Sequence, residues 1–327
     1  MTRYLFRIAL LLLCPIAFAN CQKGDPGKTF RFNGRLSVDG LSRTYLLNLP
    51  PNYYESSNLP LVIALHGFGG TSAEMERDYG ITDKGNAEGF VVAYPDGVPS
   101  NGPFRLRSWN AGRCCFVAES DNIDDVHFIS SLIDQLVANY KIDPKKVYVA
   151  GMSNGAMMTY TLACALSEKI AAITSVSGTL MASSPCQPSR AVPILHIHSA
   201  LDTKVPFNGG YGMDNVYFSP VDSGLSVWAM NDSCDTPPSV TDGAGYTLTE
   251  WKDLHGRVAI DSYLTSDGGH SLAGRTKAEG QGRSTVYGAK RDRSLMGFFP
   301  AVYFTVKNRR GHAPLFYKKL YRSAIPR

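Results

Sequence analysis

Long unbroken apolar runs are missing from this chain of 327 residues. The strongest, IALLLLCPIAFA at 8–19, is short and interrupted by Pro15, whereas a membrane-spanning helix needs about 20 apolar residues. No C-x-x-C pair occurs, and the adjacent Cys114 and Cys115 have no histidine near them in sequence, which argues against a zinc site. Internal repeats and long linkers are also missing, so solenoids and tethered modules are excluded. Charged residues are only 19% against 44% apolar, a balance that builds a substantial core rather than a disordered chain. The length allows one large domain or two small ones.

What is present begins with an export pattern. Arg3 and Arg7 precede the apolar run, and Ala17-Phe18-Ala19 is an A-x-A cleavage site. Residues 1–19 are therefore expected to be a signal peptide, and the mature protein to be secreted. Cys21 is a candidate lipid anchor, although Phe18 and Asn20 stand where lipoprotein signals usually carry leucine and a small residue. A periplasmic or lipid-anchored location is the alternative to release. Cleavage leaves Cys21, Cys114, Cys115, Cys164, Cys186 and Cys234; an even count in an exported chain favours disulfides, with the pairing left open. Charge is unevenly distributed: residues 271–327 hold 13 Lys+Arg and 2 Asp+Glu, against 20 and 26 elsewhere, a body of −6.

FRFNGRLSVDGLSRTYLLNLP reads as a hairpin turning at Asp39–Gly40 and ended by Pro50 and Pro51. LPLVIALHGFGG is a strand running into a glycine loop, and GFVVAYPDG a second buried strand. In NIDDVHFISSLIDQLVANY, residues Val126, Ile129, Leu132, Ile133, Leu136, Val137 and Tyr140 share a helical face. Asn122 is its expected N-cap, with Asp124 and Asp125 as helix-start charges rather than catalytic acids. KIAAITSVSG, VPILHIHSALD and RVAIDSYLTSD are further strands. Strands apolar on both faces, alternating with helices, predict an α/β fold with a mainly parallel central sheet and helices on both faces. Ligands of such sheets bind beyond the carboxyl ends of the strands.

At one such end stands VYVAGMSNGAMM, where Gly151-x-Ser153-x-Gly155 lies between a strand (KKVYVA) and a helix (NGAMMTYTLACALSEK). A serine there, with glycine two positions to either side, suits a strained turn that lifts its hydroxyl above the sheet as a nucleophile. A serine hydroxyl needs a base, and the base a carboxylate that fixes its tautomer. In this architecture the chain order is serine, acid, histidine, which leaves His255, His270 and His312 as candidates. His255 falls in a turn and His312 in the basic end; His270 follows a strand through a Gly-Gly loop and is the expected base. Asp202, ending the strand VPILHIHSALD, is the expected acid; Asp214, Asp222, Asp232 and Asp235 read as loop residues with no strand to hold them, and Asp267 as a turn former. The backbone N–H groups of Asn154 and Phe68, the latter in His66-Gly67-Phe68-Gly69-Gly70, are the expected oxyanion donors. His66, His196 and His198 read as core or loop-bracing residues. Trp109, in SWNAG, is a candidate aromatic wall for substrate, with a core-packed tryptophan as the alternative.

RTYLLNLPPNY, LHGFGG, VVAYPDG, SWNAGRCC, NIDDVHFI, IDPKKVYVAGMSNGAMM, HIHSALDTKVPFNGG, SVWAMNDSC and GGH together resemble the polyhydroxybutyrate-depolymerase-type esterases, a group that includes feruloyl and acetylxylan esterases. The resemblance runs from about Gly34 to Phe299. It implies an α/β-hydrolase fold, no metal or cofactor, and a triad at Ser153, Asp202 and His270. The cysteine that commonly pairs with the one at Cys234 has no counterpart in WKDLHGR, and Leu272-Ala273 replace the usual Trp-Pro after GGH. The expected organisation is an esterase domain over 20–300 and a basic tail over 301–327. Feruloyl-type hydrolysis of plant cell-wall esters is the expected activity, since no polymer-binding module is appended. Polyester or oligo-hydroxybutyrate hydrolysis is the runner-up, and a non-catalytic binding protein on a hydrolase scaffold the reading of another class. The tail, with Tyr303, Phe304, Phe316, Tyr317 and Tyr321 among its cations, reads as a solvated segment, and no nucleic-acid partner is expected.

Overall fold

The Asp39–Gly40 pair, with φ of 51° and 75°, turns the chain between β1 (Arg31–Val38) and β2 (Leu41–Asn48), as the two-residue hairpin loop requires. The computed structural model describes residues 28–235 and 237–271, and the signal-peptide, Cys21 and basic-tail expectations lie outside them. β3 (Leu59–Leu65) then enters the sheet, followed by two short helices, α1 (Ser72–Tyr79) and α2 (Ile81–Glu88), and by β4 (Val91–Pro95). Gly80, at φ 64°, ends the first helix and starts the second. A small ladder of β5 (Val98–Pro99) with β6 (Arg107–Ser108) leads to α3 (Phe116–Ser120) and α4 (Asp125–Asn139). The long strand β7 (Ile142–Met152) passes directly into α5 (Asn154–Ala165). Then come β8 (Ala172–Val176), β9 (Ile194–Ser199), the short pair β10 (Gly210–Tyr211) and β11 (Tyr217–Phe218), and α6 (Val221–Asn231). A hairpin of β12 (Ser239–Gly243) and β13 (Tyr246–Lys252) precedes β14 (Val258–Thr265).

Ten strands form one sheet in the order β1-β2-β4-β3-β7-β8-β9-β14-β13-β12. The six central strands from β4 to β14 are parallel, and antiparallel hairpins close both edges. Period-two alternation divides the core between the faces. Leu61, Ile63, Leu65, Val147 and Val149 pack with residues of α4, α5 and α6, whereas Val62, Ala64 and Ala150 pack with Met75 and Ile81 of α1 and α2. The expected mainly parallel sheet, with helices on both faces, is the observed one.

Two readings need correction. Asn122 is not the cap of α4: it closes the turn after α3 with φ 49°, while the Asp124 carboxylate accepts the His127 N–H at 2.8 Å. A cap side chain reaches the N–H three positions on, which fits Asp124 and not Asn122 for a helix starting at Asp125. Asp222 is not in loop; Val221, Leu225, Trp228 and Ala229 bury one face of α6, which carries Asp222 in its first turn, and Asp232 lies in the turn just after it. The β12–β13 hairpin gave no signal because all five residues of β12 are exposed and lack an apolar alternation. Disulfides join Cys114 to Cys115 and Cys164 to Cys186; Cys234, in a β-bridge with Asp253, is a free thiol among the described residues. No helix among the described residues is long and apolar enough to cross a membrane.

One buried ion pair ties the edge hairpin to α4. Arg43 Nη2 donates to Asp125 Oδ1 at 2.6 Å and lies 3.1 Å from the Asp96 carbonyl, and its guanidinium sits 3.9 Å over the Phe128 ring. The other Asp125 oxygen accepts the Asn110 N–H at 2.8 Å. Replacing Arg43 with Met strands a buried carboxylate and is expected to cost about 3–5 kcal/mol in urea unfolding; adding Asp125→Leu should return part of that loss. Asp232 offers a second test. One of its oxygens accepts the Val192 N–H at 3.2 Å, the other has no partner, and burial pushes its pKa up to about 7. With the folded pKa above the unfolded one, the contribution of the neutral acid to stability is present near pH 4 and lost as pH rises to 7. Asp232→Asn should therefore raise Tm by a few degrees at pH 8, with a gain that shrinks toward pH 4 in a scan of both proteins.

Candidate active site

Ser153 occupies a conformation that few side chains adopt, with φ 56° and ψ −122°, between the last residue of β7 and the first of α5. Its N–H is held by the Val176 carbonyl at 2.8 Å. The flanking glycines are steric necessities. A Cβ on Gly151 would run into the Gly155 carbonyl, and one on Gly155 into the carbonyls of Leu65 and His66. Strand, helix and the loop after β3 therefore pass each other at backbone contact, and the serine is left at their junction, 6% exposed.

The structure brings Ser153, His270 and Asp202 together. His270 Nε2 lies 2.8 Å from Ser153 Oγ, and His270 Nδ1 lies 2.8 Å and 3.1 Å from the two Asp202 carboxylate oxygens. Carboxylate oxygens only accept, so Nδ1 carries the proton, and Nε2 of the neutral ring is free to accept from the serine hydroxyl. Gly268 and Gly269, at φ 85° and 55°, carry the histidine back from β14. Asp202 sits just past β9 with its side chain fully enclosed. Burial works to raise its pKa, but the polar contacts with His198, His270 and the Val205 N–H, with the electrostatic attraction of His270, outweigh it and hold the carboxyl well below the usual range.

The loop after β3 runs alongside. A Cβ on Gly67 would stand 3.3 Å from Ser153 Cβ, which brings the next residue, Phe68, beside the nucleophile's turn. The Asn154 N–H is at the first position of α5, where no earlier helical carbonyl exists to accept it. His66 braces this loop. Its Nε2 accepts the Gly97 N–H at 3.0 Å, so Nδ1 donates to the Gly67 carbonyl at 2.7 Å, and burial drives its pKa down to about 4.

Trp109 is placed differently from the substrate-wall expectation. It is 0% exposed, its indole N–H donates to the His66 carbonyl at 3.0 Å, and its ring packs in the core. An aromatic without free surface cannot receive an acyl group. Its backbone is instead clasped by the Asn154 side chain, which accepts the Trp109 N–H at 2.8 Å and donates to its carbonyl at 3.0 Å. A half-buried aromatic surface lies elsewhere: Phe68 stacks on Phe116, with centroids 3.5 Å apart at 16°. Phe116 had no sequence signal because it opens a helix of only five residues, too short to show a periodic pattern. His198 was also missed as a neighbour of Asp202, although the spacing of His196 and His198 places both on one face of a strand. His255 is exposed in the turn after β13, and His312 lies outside the described residues. Among the described residues one group has metal-ligand spacing, the exposed Asp39, Asp124 and His127; Asp124 caps α4 and Asp39 pairs with the His127 ring, roles that require no ion.

Known proteins carry related sequences. The chain is 27% identical over 249 residues to feruloyl esterase B of Piromyces equi, covering 74% of this chain but only 44% of that protein, so it spans less than half of that relative. It is 27% identical over 274 residues to a protein of Aspergillus clavatus named as a feruloyl esterase C, covering 81% of this chain and 89% of that one. Among solved structures, an acetyl xylan esterase from Aspergillus awamori superposes with a TM-score of 0.56 at 19% identity, over 74% of this chain and 94% of that one. That likeness is one of fold, and the fold is the α/β-hydrolase. The family model described as phospholipase/carboxylesterase matches residues 55–226, more than half of the 327, and the chain belongs to that family.

Proposed function

We propose that the protein is a serine carboxylic-ester hydrolase of the feruloyl-esterase type, acting on acyl esters of plant cell-wall polysaccharide. The observation that carries this reading is the unbroken line Ser153 Oγ–His270 Nε2 at 2.8 Å and His270 Nδ1–Asp202 Oδ2 at 2.8 Å. In the first step His270 takes the Ser153 proton as the oxygen attacks the ester carbonyl, and Asp202 stabilises the imidazolium. The N–H groups of Phe68 and Asn154 receive the oxyanion, and the same proton leaves with the alcohol. Water, deprotonated by His270, then attacks the acyl-enzyme and releases the acid and Ser153. Support for the acyl class comes from the names of the relatives and from the stacked Phe68–Phe116 pair beside the oxyanion loop, which offers an aryl acyl group a flat apolar neighbour. Export of the mature chain after Ala19, to the outside of the cell where such polymers lie, completes the reading.

Hydrolysis of methyl ferulate, acetylated xylan and a soluble 3-hydroxybutyrate oligomer, measured side by side, tests it. Ferulate should be preferred, Ser153→Ala should abolish turnover, and Asp202→Asn should lower kcat by about 10⁴-fold with the fold intact. Preference for the oligomer would transfer the assignment to polyester hydrolysis. No turnover of any ester would favour a binding protein on a hydrolase scaffold. Phe116→Ala should raise KM for methyl ferulate by about 2- to 10-fold while leaving KM for a small acetyl ester within a factor of two; equal effects on both would remove the aromatic pair from acyl recognition.

A further inference from the structure

Two more histidines stand behind the Asp202 carboxylate. His196 and His198 leave the same face of β9, are 0% and 1% exposed, and stack with centroids 5.3 Å apart. His198 Nε2 faces acceptors only, the Val205 carbonyl at 2.8 Å and Asp202 Oδ2 at 3.4 Å, and must therefore carry a proton. Its Nδ1 then accepts in the neutral ring, so His196 Nε2, 3.2 Å away, donates. His196 Nδ1 in turn accepts from the Tyr160 hydroxyl on α5 at 2.8 Å. The opposite direction would require both nitrogens of His198 to be protonated, a cation with no exposed side-chain surface. Burial keeps His196 neutral, driving its pKa well below the ordinary value, with the neighbouring His198 adding to the effect; burial likewise keeps the Tyr160 hydroxyl protonated.

The donors thus run one way, Tyr160 to His196 to His198, and end on the loop that presents Asp202. There they meet a second set. Asp202 Oδ1 accepts the backbone N–H groups of Lys204 and Val205, both at 2.9 Å, while Oδ2 is the oxygen nearer His270. His198 therefore grips this loop twice, at the carbonyl of a residue whose N–H holds Oδ1 and alongside Oδ2 itself. Phe207 stands edge-on to the His198 ring at 5.7 Å.

We propose that His198 is a positioning residue for the hydrolytic reaction, with His196 and Tyr160 setting its tautomer, and that its Nε2–H, donated to the Val205 carbonyl, fixes the loop whose N–H groups keep Asp202 in the rotamer that faces His270. The proposal rests on the Ser153–His270–Asp202 reading above. A buried histidine pair on a core strand is ordinarily a satisfied packing element. The approach to Asp202 Oδ2, and the shared grip on residue 205, distinguish this pair.

The test compares His198→Leu, which keeps bulk without a donor, with His198→Gln, whose amide N–H reaches to about the same point. The ester used is one that Ser153→Ala does not hydrolyse. His198→Leu should lower kcat by about 10- to 100-fold with KM within about 3-fold, and His198→Gln should recover much of the loss. The low-field proton shared by His270 and Asp202 in the ¹H NMR spectrum should move or broaden in the Leu variant and return in the Gln variant. A folded His198→Leu with kcat within 2-fold and that proton unmoved overturns the proposal. So does a Gln variant that regains thermal stability without regaining kcat. Should His198→Leu fail to fold, Tyr160→Phe removes only the first donor; the proton should shift by a smaller amount, and no shift counts against the relay. If the unmodified protein shows no Ser153-dependent hydrolysis, the esterase reading fails by itself, and the NMR signal alone decides what His198 does for Asp202.

Discussion

Backbone contact at the end of β7 constrains everything around it. Three segments, the strand, α5 and the loop after β3, approach so closely that Gly151 and Gly155 have no room for a side chain. Ser153 takes the strained conformation this crossing demands, and strain of that kind costs of order 1–3 kcal/mol. The surrounding structure has to impose it. It does so through the parallel pairing of β7 with β3 and β8, the Val176 carbonyl on the Ser153 N–H, and the nearly all-round burial of α5. A helix with so little exposed surface can be held in one place only by packing, and that rigidity passes to the serine at its start.

The second demand is electrostatic. A carboxylate with no exposed surface is costly unless it is surrounded by donors. Asp202 has three, the backbone N–H groups of Lys204 and Val205 and the ring N–H of His270, with His198 Nε2 3.4 Å behind. The same arrangement keeps it ionised and fixes the tautomer of His270. His66 solves a related problem on the other flank, where a buried neutral ring joins the loop after β3 to Gly97 and leaves its own carbonyl to Trp109. Arg43 and Asp125 join the edge hairpin to α4, and Asp125 fastens Asn110, next to Trp109. Several polar groups buried around the site are thus matched by partners from distant segments, which ties the loops to one another.

Local signals account for much of this in advance. The turn at Ser153 was legible because its sterics act between residues two apart, and the central strands because burial on both faces leaves unbroken apolar runs such as LVIAL and VYVA. Asp202 and His270 followed from the chain order that this architecture requires and from where these residues stand relative to strand ends. Trp109 was ambiguous because nothing local says which surface of an indole is covered; Asn154 and His66, 45 and 43 residues away, bury it. Asn122 and Asp124 are both good caps in isolation, and the turn after α3 chooses between them.

Sequence neighbours thus specified the strained serine, the hairpin turn and the alternating layers, since those depend on φ, ψ and side-chain periodicity over a few residues. Contacts between distant segments settled the rest: the burial of Trp109, the pairing of Arg43 with Asp125 across 82 residues, and the approach of His198 to the carboxylate that also serves His270. Burial and hydrogen-bond satisfaction are properties of a three-dimensional neighbourhood, and a residue acquires them only when the sheet has brought its partners to the same place.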